Sequence, residues 1–271
     1  MTAPPGRVRG DEVSPVRRPT RAEVCCVAMA ECFRGDGEIL ANPIGTIPMI
    51  GGRLARATFE PDLMMTDGEA ALVANDEAFE WPSGRVVEAY NPYRSMFDIV
   101  WSGRRHVVMG ASQIDAHGNQ NFAAVGSDWS RPTVQLLGFR GAPGNTIENA
   151  TSYFVPNHSR RVFVERVDVV TGVGTSRAAA LAPESRRSFS LRFVVTNLCV
   201  MDLGGDGGRL RVVTVHPGVT LDDVRAATGF ELAVADELTE TRPPSEHDLH
   251  LLRDVIDPRS LREQEIPAPT G

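Results

Sequence analysis

The sequence contains no lysine; all 28 of its basic residues are arginine. That absence excludes enzymes that form a Schiff base on a lysine amine, and phosphate loops that fix an ammonium beside the phosphates. An anionic ligand must be held instead by arginine forks, backbone N–H groups or helix N-termini. No apolar run approaches the roughly 20 residues of a membrane span, and the opening MTAPPGRVRGDEVSPVRRP lacks a secretory apolar stretch. A soluble, cytoplasmic protein is expected, with no membrane partner. The formal net charge is −7, which argues against a nucleic-acid partner, because duplex binding needs a concentrated basic footprint. Cysteine is scarce. Cys25, Cys26 and Cys32 crowd one apolar stretch without CxxC spacing, and Cys199 stands alone. They read as small core residues in a reducing compartment, with no metal site implied. His106, His117, His158 and His216 also lack metal-ligand spacing.

What is present is enough for one large α/β domain or two small ones, with 42% hydrophobic residues over 271 positions. Residues 1–18, rich in Pro, Arg and Gly, are expected to form a disordered arm. Thr20 to Glu23 spell a capping box, which predicts a buried helix through Arg34 that Gly35 ends. A strand near 38–41 and the loop NPIGTIP lead to a second helix from Pro48 to Thr58. DLMMTD reads as a strand running into a turn, residues 93–101 as a helix, and RHVVMGAS as the next strand. This alternation predicts an open, mostly parallel sheet with helices on both faces. Beyond it, ASQIDAHGNQN reads as an antiparallel hairpin turning at His117-Gly118-Asn119. RRVFVERVDVVTG, RFVVTNLCVMDL and RLRVVTVHPG are strand candidates, and 175–188 reads as a surface insertion. Thr220 to Asp223 and Ser245 to Asp248 are further capping boxes; the second opens a helical tail with Leu249, Leu252, Val255 and Ile256 on one face.

Six of these segments stand in an order that resembles the beta subunits of class I (3-oxoacid-type) CoA-transferases. They are N42-PIGTI-P48, the strand into TDGEA, GASQIDAHGNQN, GAPGNTIENAT, RFVVTNLCVMDL and HPGVTLDDVRAATGFEL. The resemblance implies the CoA-transferase (NagB-like) fold over 19–235, followed by a helical tail at 236–271. RRHVVMGASQID, GAPGNTIENATSY and DLHLLRDVIDPRSLRE bring the chain closer to one branch, the beta subunits of actinobacterial hydrolases that open the last ring in cholesterol degradation. That branch implies an alpha-subunit partner, in a heterodimer or an α2β2 heterotetramer, and a CoA thioester as substrate. The acyl part would be a cyclohexenone carrying a propionate, cleaved hydrolytically at a C–C bond. CoA would belong to the substrate, and no separate cofactor is expected.

The family's transferases carry a nucleophilic glutamate in a Ser-Glu-Asn-Gly turn, where this chain has Thr66-Asp67-Gly68-Glu69. Asp67 is one methylene shorter and Glu69 lies two residues on. A misplacement of about 1 Å can lose on the order of 100-fold in rate. The turn thus argues against a covalent acyl intermediate; Asp67 and Glu69 stay candidates for lining the site, with the main base expected on the alpha chain. Capping a strand-to-helix turn is their structural alternative. Ile44 and Thr46 stand where the family's loop usually carries two glycines, and one glycine, Gly45, remains between them. Gly141, Gly144 and Asn145 could offer N–H groups to a thioester oxygen, or form a plain Pro-Gly turn. Gln113 and Asn119 flank the hairpin turn and either touch ligand or satisfy backbone. Arg94 and Arg140, with Arg104 and Arg105, are candidates for CoA phosphates. Two other readings compete: an ordinary CoA-transferase between carboxylic acids, and a non-enzymatic ligand-sensing domain, which would normally need a helix-turn-helix that is not visible here.

Overall fold

A computed structural model describes residues 18–66, 71–74, 86–128 and 130–267. Asp67 and Glu69 lie outside the described residues, as does the arm expected at 1–18 apart from Arg18. The elements, in order, are α1 (Arg21–Glu31), β1 (Leu40–Pro43), α2 (Thr46–Thr58), β2 (Met64–Thr66), β3 (Ala71–Val73), β4 (Val87–Tyr90) and α3 (Tyr93–Val100). Next come β5 (Arg105–Met109), β6 (Gln113–Ile114), β7 (Gln120–Asn121), β8 (Ala124–Val125), β9 (Val134–Gln135), α4 (Ala142–Glu148), β10 (Ala150–Val155) and α5 (Thr175–Ala179). The chain closes with β11 (Ser190–Thr196), β12 (Cys199–Gly205), β13 (Arg209–Val215), α6 (Leu221–Ala227), β14 (Ala233–Glu240), α7 (Glu246–His250), a π-helical segment (Leu251–Ile256) and α8 (Arg262–Glu265).

One ten-stranded sheet runs β14-β13-β12-β11-β10-β5-β1-β2-β3-β4. Its centre, from β11 through β10, β5 and β1 to β2, is parallel. Antiparallel pairs extend it at both ends, β11–β12 and β12–β13 on one side, β2–β3 and β3–β4 on the other. The expected hairpin region is present as two small sheets, β6–β7 and β8–β9. Period-two alternation divides the central strands between two cores. Ala41, Met65, Val108 and Phe154 pack with α1, α2 and the tail, while Val107, Met109, Tyr153 and Val155 pack with Ala142 of α4 and Val224 of α6. Helices therefore cover both faces, and the four cysteines are free and buried among them.

The three capping boxes form as read, at Thr20, Thr220 and Ser245. Several readings are corrected. RFVVTNLCVMDL is two strands, because the Thr196 hydroxyl accepts the N–H groups of Leu198 and Cys199 and turns the chain between β11 and β12. RRVFVERVDVVTG is no strand; its ladder pairing with the hairpin is confined to the isolated bridges Ile114–Phe163 and Gln120–Gly172, and side-chain bonds such as Gln113–Asp168 make other contacts. GAPGNT is neither loop nor Pro-Gly turn but the start of α4, with Pro143 in the first turn, where its missing N–H has no intrahelical partner to lose. At the hairpin only Gly118, at φ +72°, takes the left-handed conformation also expected of Asn119.

The boundary expected at 235/236 falls inside β14, which pairs parallel with β13. Val255 is exposed while Leu252 and Ile256 are buried, since a π turn advances more residues than the α period used to place it. The tail shares the core of α1 and α2 through Leu252, Ile256 and Ile266. A buried ion network fixes it there: Glu23 of α1 accepts from Arg253 at 2.7 Å and Arg262 at 3.0 Å, and Arg262 also reaches Asp257 at 2.8 Å.

Candidate active site

The chain passes from β1 to β2 on one side and then returns to place β5 on the other side of β1. Strand order therefore reverses between β1 and β5. In open α/β sheets, ligands bind outside the carboxyl ends of the strands at such a point. Ile44 follows β1 there, 53% exposed, with its N–H on the Val108 carbonyl at 2.9 Å. Gly45 comes next at φ +121°, ψ 163°, a region essentially reserved for glycine. It starts α2 without a side-chain cap. Glu265, from the far end of the chain, supplies one by accepting the Ile47 N–H at 2.7 Å. Burial raises the Glu265 acid above the ordinary glutamate range, with the Ile47 N–H opposing. On the β5 side, Gln120 Nε2 donates to the Gly110 carbonyl at 2.7 Å and ties the hairpin to the strand end.

Beneath this crevice lies Arg105, the first residue of β5, only 4% exposed. Its Nη1 donates to Asn42 Oδ1 at 3.3 Å and its Nη2 to Asn145 Oδ1, while Nε is buried without a partner. Asn42 lies near the end of β1 and Asn145 in the first turn and a half of α4. The Thr151 hydroxyl donates to the Asn145 carbonyl at 3.1 Å and steadies that helix against β10. No carboxylate among the described residues pairs with Arg105, and uncompensated burial brings its pKa down to about 10.

The predicted residues are thus partly brought together. Gly45 is at the crevice, and Asn145 joins it through Arg105 and Asn42. Gly141 caps α4 with Gly144 in its first turn, and Arg140 precedes them, exposed, at φ +46°. Arg94 is exposed on α3, beyond β4 and outside this cluster. Gln113 and Asn119 serve the chain itself. Gln113 donates to Asp168 at 3.0 Å and accepts from Asn121 at 2.7 Å and from the Asp168 N–H. Asn119 accepts the Gly174 N–H at 2.9 Å and donates to Asp115 and Ser176. Asn119 also borders an open cleft of about 640 Å³ with Phe139, Arg166 and Arg177.

No protein-family model matches the chain. It is 50% identical over 247 residues, 91% of its length and 96% of the relative's, to the cholesterol ring-cleaving hydrolase IpdB subunit of Rhodococcus jostii. The chain belongs to the IpdB family. The solved structure of Rhodococcus jostii IpdAB superposes with a TM-score of 0.86 at 49% identity, covering 92% of this chain and 99% of that one. A more distant relative is a 3-oxoadipate CoA-transferase subunit of Pseudomonas knackmussii, 28% identical over 83% of this chain and 85% of its own. IpdB membership and the transferase likeness agree with the fold, an open sheet of the CoA-transferase kind with added hairpins.

Two clusters in this IpdB-family chain escaped sequence reasoning. One is the joining of Arg105 to Asn42: Arg105 stood among the candidates for CoA phosphates, but it is buried with its Nη groups on the Asn42 and Asn145 amides, and nothing local tells a buried arginine from an exposed one. The other is Asp36–His106–Ser152, with Asp36 Oδ2 to His106 Nδ1 at 2.6 Å and His106 Nε2 to Ser152 Oγ at 3.0 Å. The order copies a Ser-His-Asp triad, yet Ser152 and His106 are fully buried mid-sheet on the α1 side, where no substrate reaches. Burial pushes the His106 pKa down against the pull of Asp36. Arg192 pairs with the other Asp36 oxygen and completes a self-contained structural network. Among the described residues no His, Cys, Asp and Glu side chains group to hold a metal ion.

Proposed function

We propose that this chain is the beta subunit of a CoA-thioester hydrolase that opens a cyclohexenone ring by hydrolytic C–C cleavage, working with an alpha subunit. The 50% identity to IpdB subunits named for cholesterol ring cleavage, over nine-tenths of both chains, carries the reading. The likeness to IpdAB supports assembly with an alpha chain. That among the described residues no helix is long and apolar enough to cross a membrane fits a cytoplasmic setting. CoA enters as part of the substrate, and the reading needs no further cofactor.

Chemically, water adds to the ring ketone β to the thioester while a carboxylate base takes its proton. The C–C bond then breaks, leaving a carboxylic acid and a thioester-stabilised carbanion that is reprotonated. Charge grows first on the former ketone oxygen and then on the thioester oxygen, so fixed N–H donors are the equipment this chain can supply. Asn42 fits that need. Arg105 can only donate, so Asn42 must present Oδ1 to it and keep its Nδ2 hydrogens for another acceptor at the end of β1. Among the described residues Nδ2 meets no acceptor. Asp67 and Glu69 remain proposed site carboxylates, secondary to a base on the alpha chain.

The test is to purify this chain alone and with its alpha partner and to assay consumption of the cyclohexenone-propionyl thioester. Turnover is expected only from the pair, and full activity of the lone chain would overturn the two-subunit reading. The distant transferase kinship keeps acyl transfer as a second reading. It requires a thioester on a side-chain carboxylate, which borohydride reduces. Treating the pair with substrate and then borohydride should leave activity and mass unchanged, whereas an adduct on Asp67 or Glu69 would establish transfer.

A further inference from the structure

We infer that Arg105 is a positioning residue: it locks the amides of Asn42 and Asn145 so that their Nδ2 groups point away from it, and thereby sets a donor at the reacting carbonyl. The inference rests on the ring-opening reading for what that carbonyl is. Several observations converge on it. Arg105 is buried, its Nε has no partner, and among the described residues burial shifts its pKa with no acid to oppose it. A buried arginine kept for stability is normally paired, because an unpaired buried charge is unfavourable and an apolar residue of like volume serves the fold as well or better. Here the guanidinium instead spends both Nη groups on two amide oxygens that arrive from separate elements, 63 and 40 residues away in sequence. Arginine carries no acceptor, so neither amide can flip while it is present. Asn145 then turns its Nδ2 toward Met109 Sδ at 3.4 Å, on the strand whose end forms one lip of the crevice. Asn42 lies at the other lip. A planar fork of fixed geometry suits such a two-point hold, and a single ammonium does not.

The test uses the assembled two-subunit enzyme and the cyclohexenone-propionyl thioester, with kcat, KM and the urea midpoint measured for each variant. Arg105→Met is expected to lower kcat on the order of 100-fold, with KM within about threefold and the midpoint unchanged or raised. Arg105→Lys should regain no more than about a tenth of the lost rate, since it keeps the charge without the fork. Combined with Asn42→Ala, Arg105→Met should add less than about threefold to the single-variant loss, because both remove one device. The inference is overturned if Arg105→Met keeps its kcat, if kcat falls only as the midpoint falls, if lysine restores full rate, or if the losses multiply. Should the wild-type pair fail to turn over this thioester, the functional reading fails instead, a result separable from all of these.

Discussion

Arg105 and His106 are neighbours on one strand, yet they face opposite sides of the sheet and meet opposite electrostatic fates. His106 enters a closed circuit in which Asp36 holds it and Arg192 holds Asp36. Arg105 enters a circuit of neutral amides and keeps its charge unanswered. Both are buried, so burial alone does not separate structure from function. Compensation does: a network that neutralises itself asks nothing of a ligand, whereas a buried cation held only by amides is stable enough to persist and open to use.

The largest expected effect breaks the compensated side. Asp36→Ala strips the acid from His106 and strands Arg192, and should cost about 3–5 kcal/mol in denaturant unfolding, the usual loss when one partner of a buried pair is removed. Activity per folded molecule should survive. A loss of kcat with the midpoint intact would mean the Asp36–His106–Ser152 cluster takes part in chemistry after all.

Lowering the pH sharpens the same contrast through the neutral histidines. His216 is fully buried; its Nε2 donates to the Thr196 carbonyl at 2.7 Å and its Nδ1 accepts from Thr241 at 2.9 Å. Burial brings its pKa down to about 4, and that of His158 to about 3. The unfolded chain protonates these groups near pH 6.5, well before the folded chain can. Their stability contribution is therefore complete above that pH and lost as pH falls toward 4. Between pH 7 and 4.5 the loss through His216 should be about 2–3 kcal/mol. Urea titrations at both pH values should show a correspondingly smaller drop for His216→Gln, and an equal drop would refute the assignment.

On the uncompensated side, Gly45→Ala forces a side chain into a conformation reserved for glycine, beside Pro48 Cδ at 3.3 Å and Glu265 Oε1 at 3.5 Å. A cost of about 1–3 kcal/mol is expected, with a proportionally greater loss of activity because the crevice lip moves. Retained activity alongside a lowered midpoint would detach Gly45 from the site. The smallest effect belongs to Glu265→Gln, which replaces the carboxylate on the Ile47 N–H with a neutral amide acceptor. Burial raises the Glu265 acid in the folded protein, so the wild type loses stability as pH rises through that raised pKa. In urea midpoints against pH, the variant should therefore match the wild type in acid and lie slightly above it at neutral pH.

Much of this was legible in the sequence because it is local. Thr20 and Glu23, Thr220 and Asp223, and Ser245 and Asp248 cap helices across three residues, so the chain itself declares those helix starts. The apolar run Val107–Val108–Met109 declares a buried strand, though not the burial of Arg105 and His106 that precede it. The ordered motifs placed the chain in its family, since six weak signals in one sequence order leave few alternatives. The split of RFVVTNLCVMDL at Thr196 and the helix hidden in GAPGNT were illegible, because one side-chain bond or one glycine cap outweighs the local pattern.

By itself, then, the sequence determined the sheet-and-helix order, the family, and the classes of chemistry that the absence of lysine removes. Only the tertiary structure decided which arginines are buried, which triad is inert, and that Glu265 caps a helix 218 residues earlier in the chain. Those facts depend on partners brought together by sheet order, and a side chain's charge is weighed by the dielectric and the neighbours around it. Sequence spacing records neither.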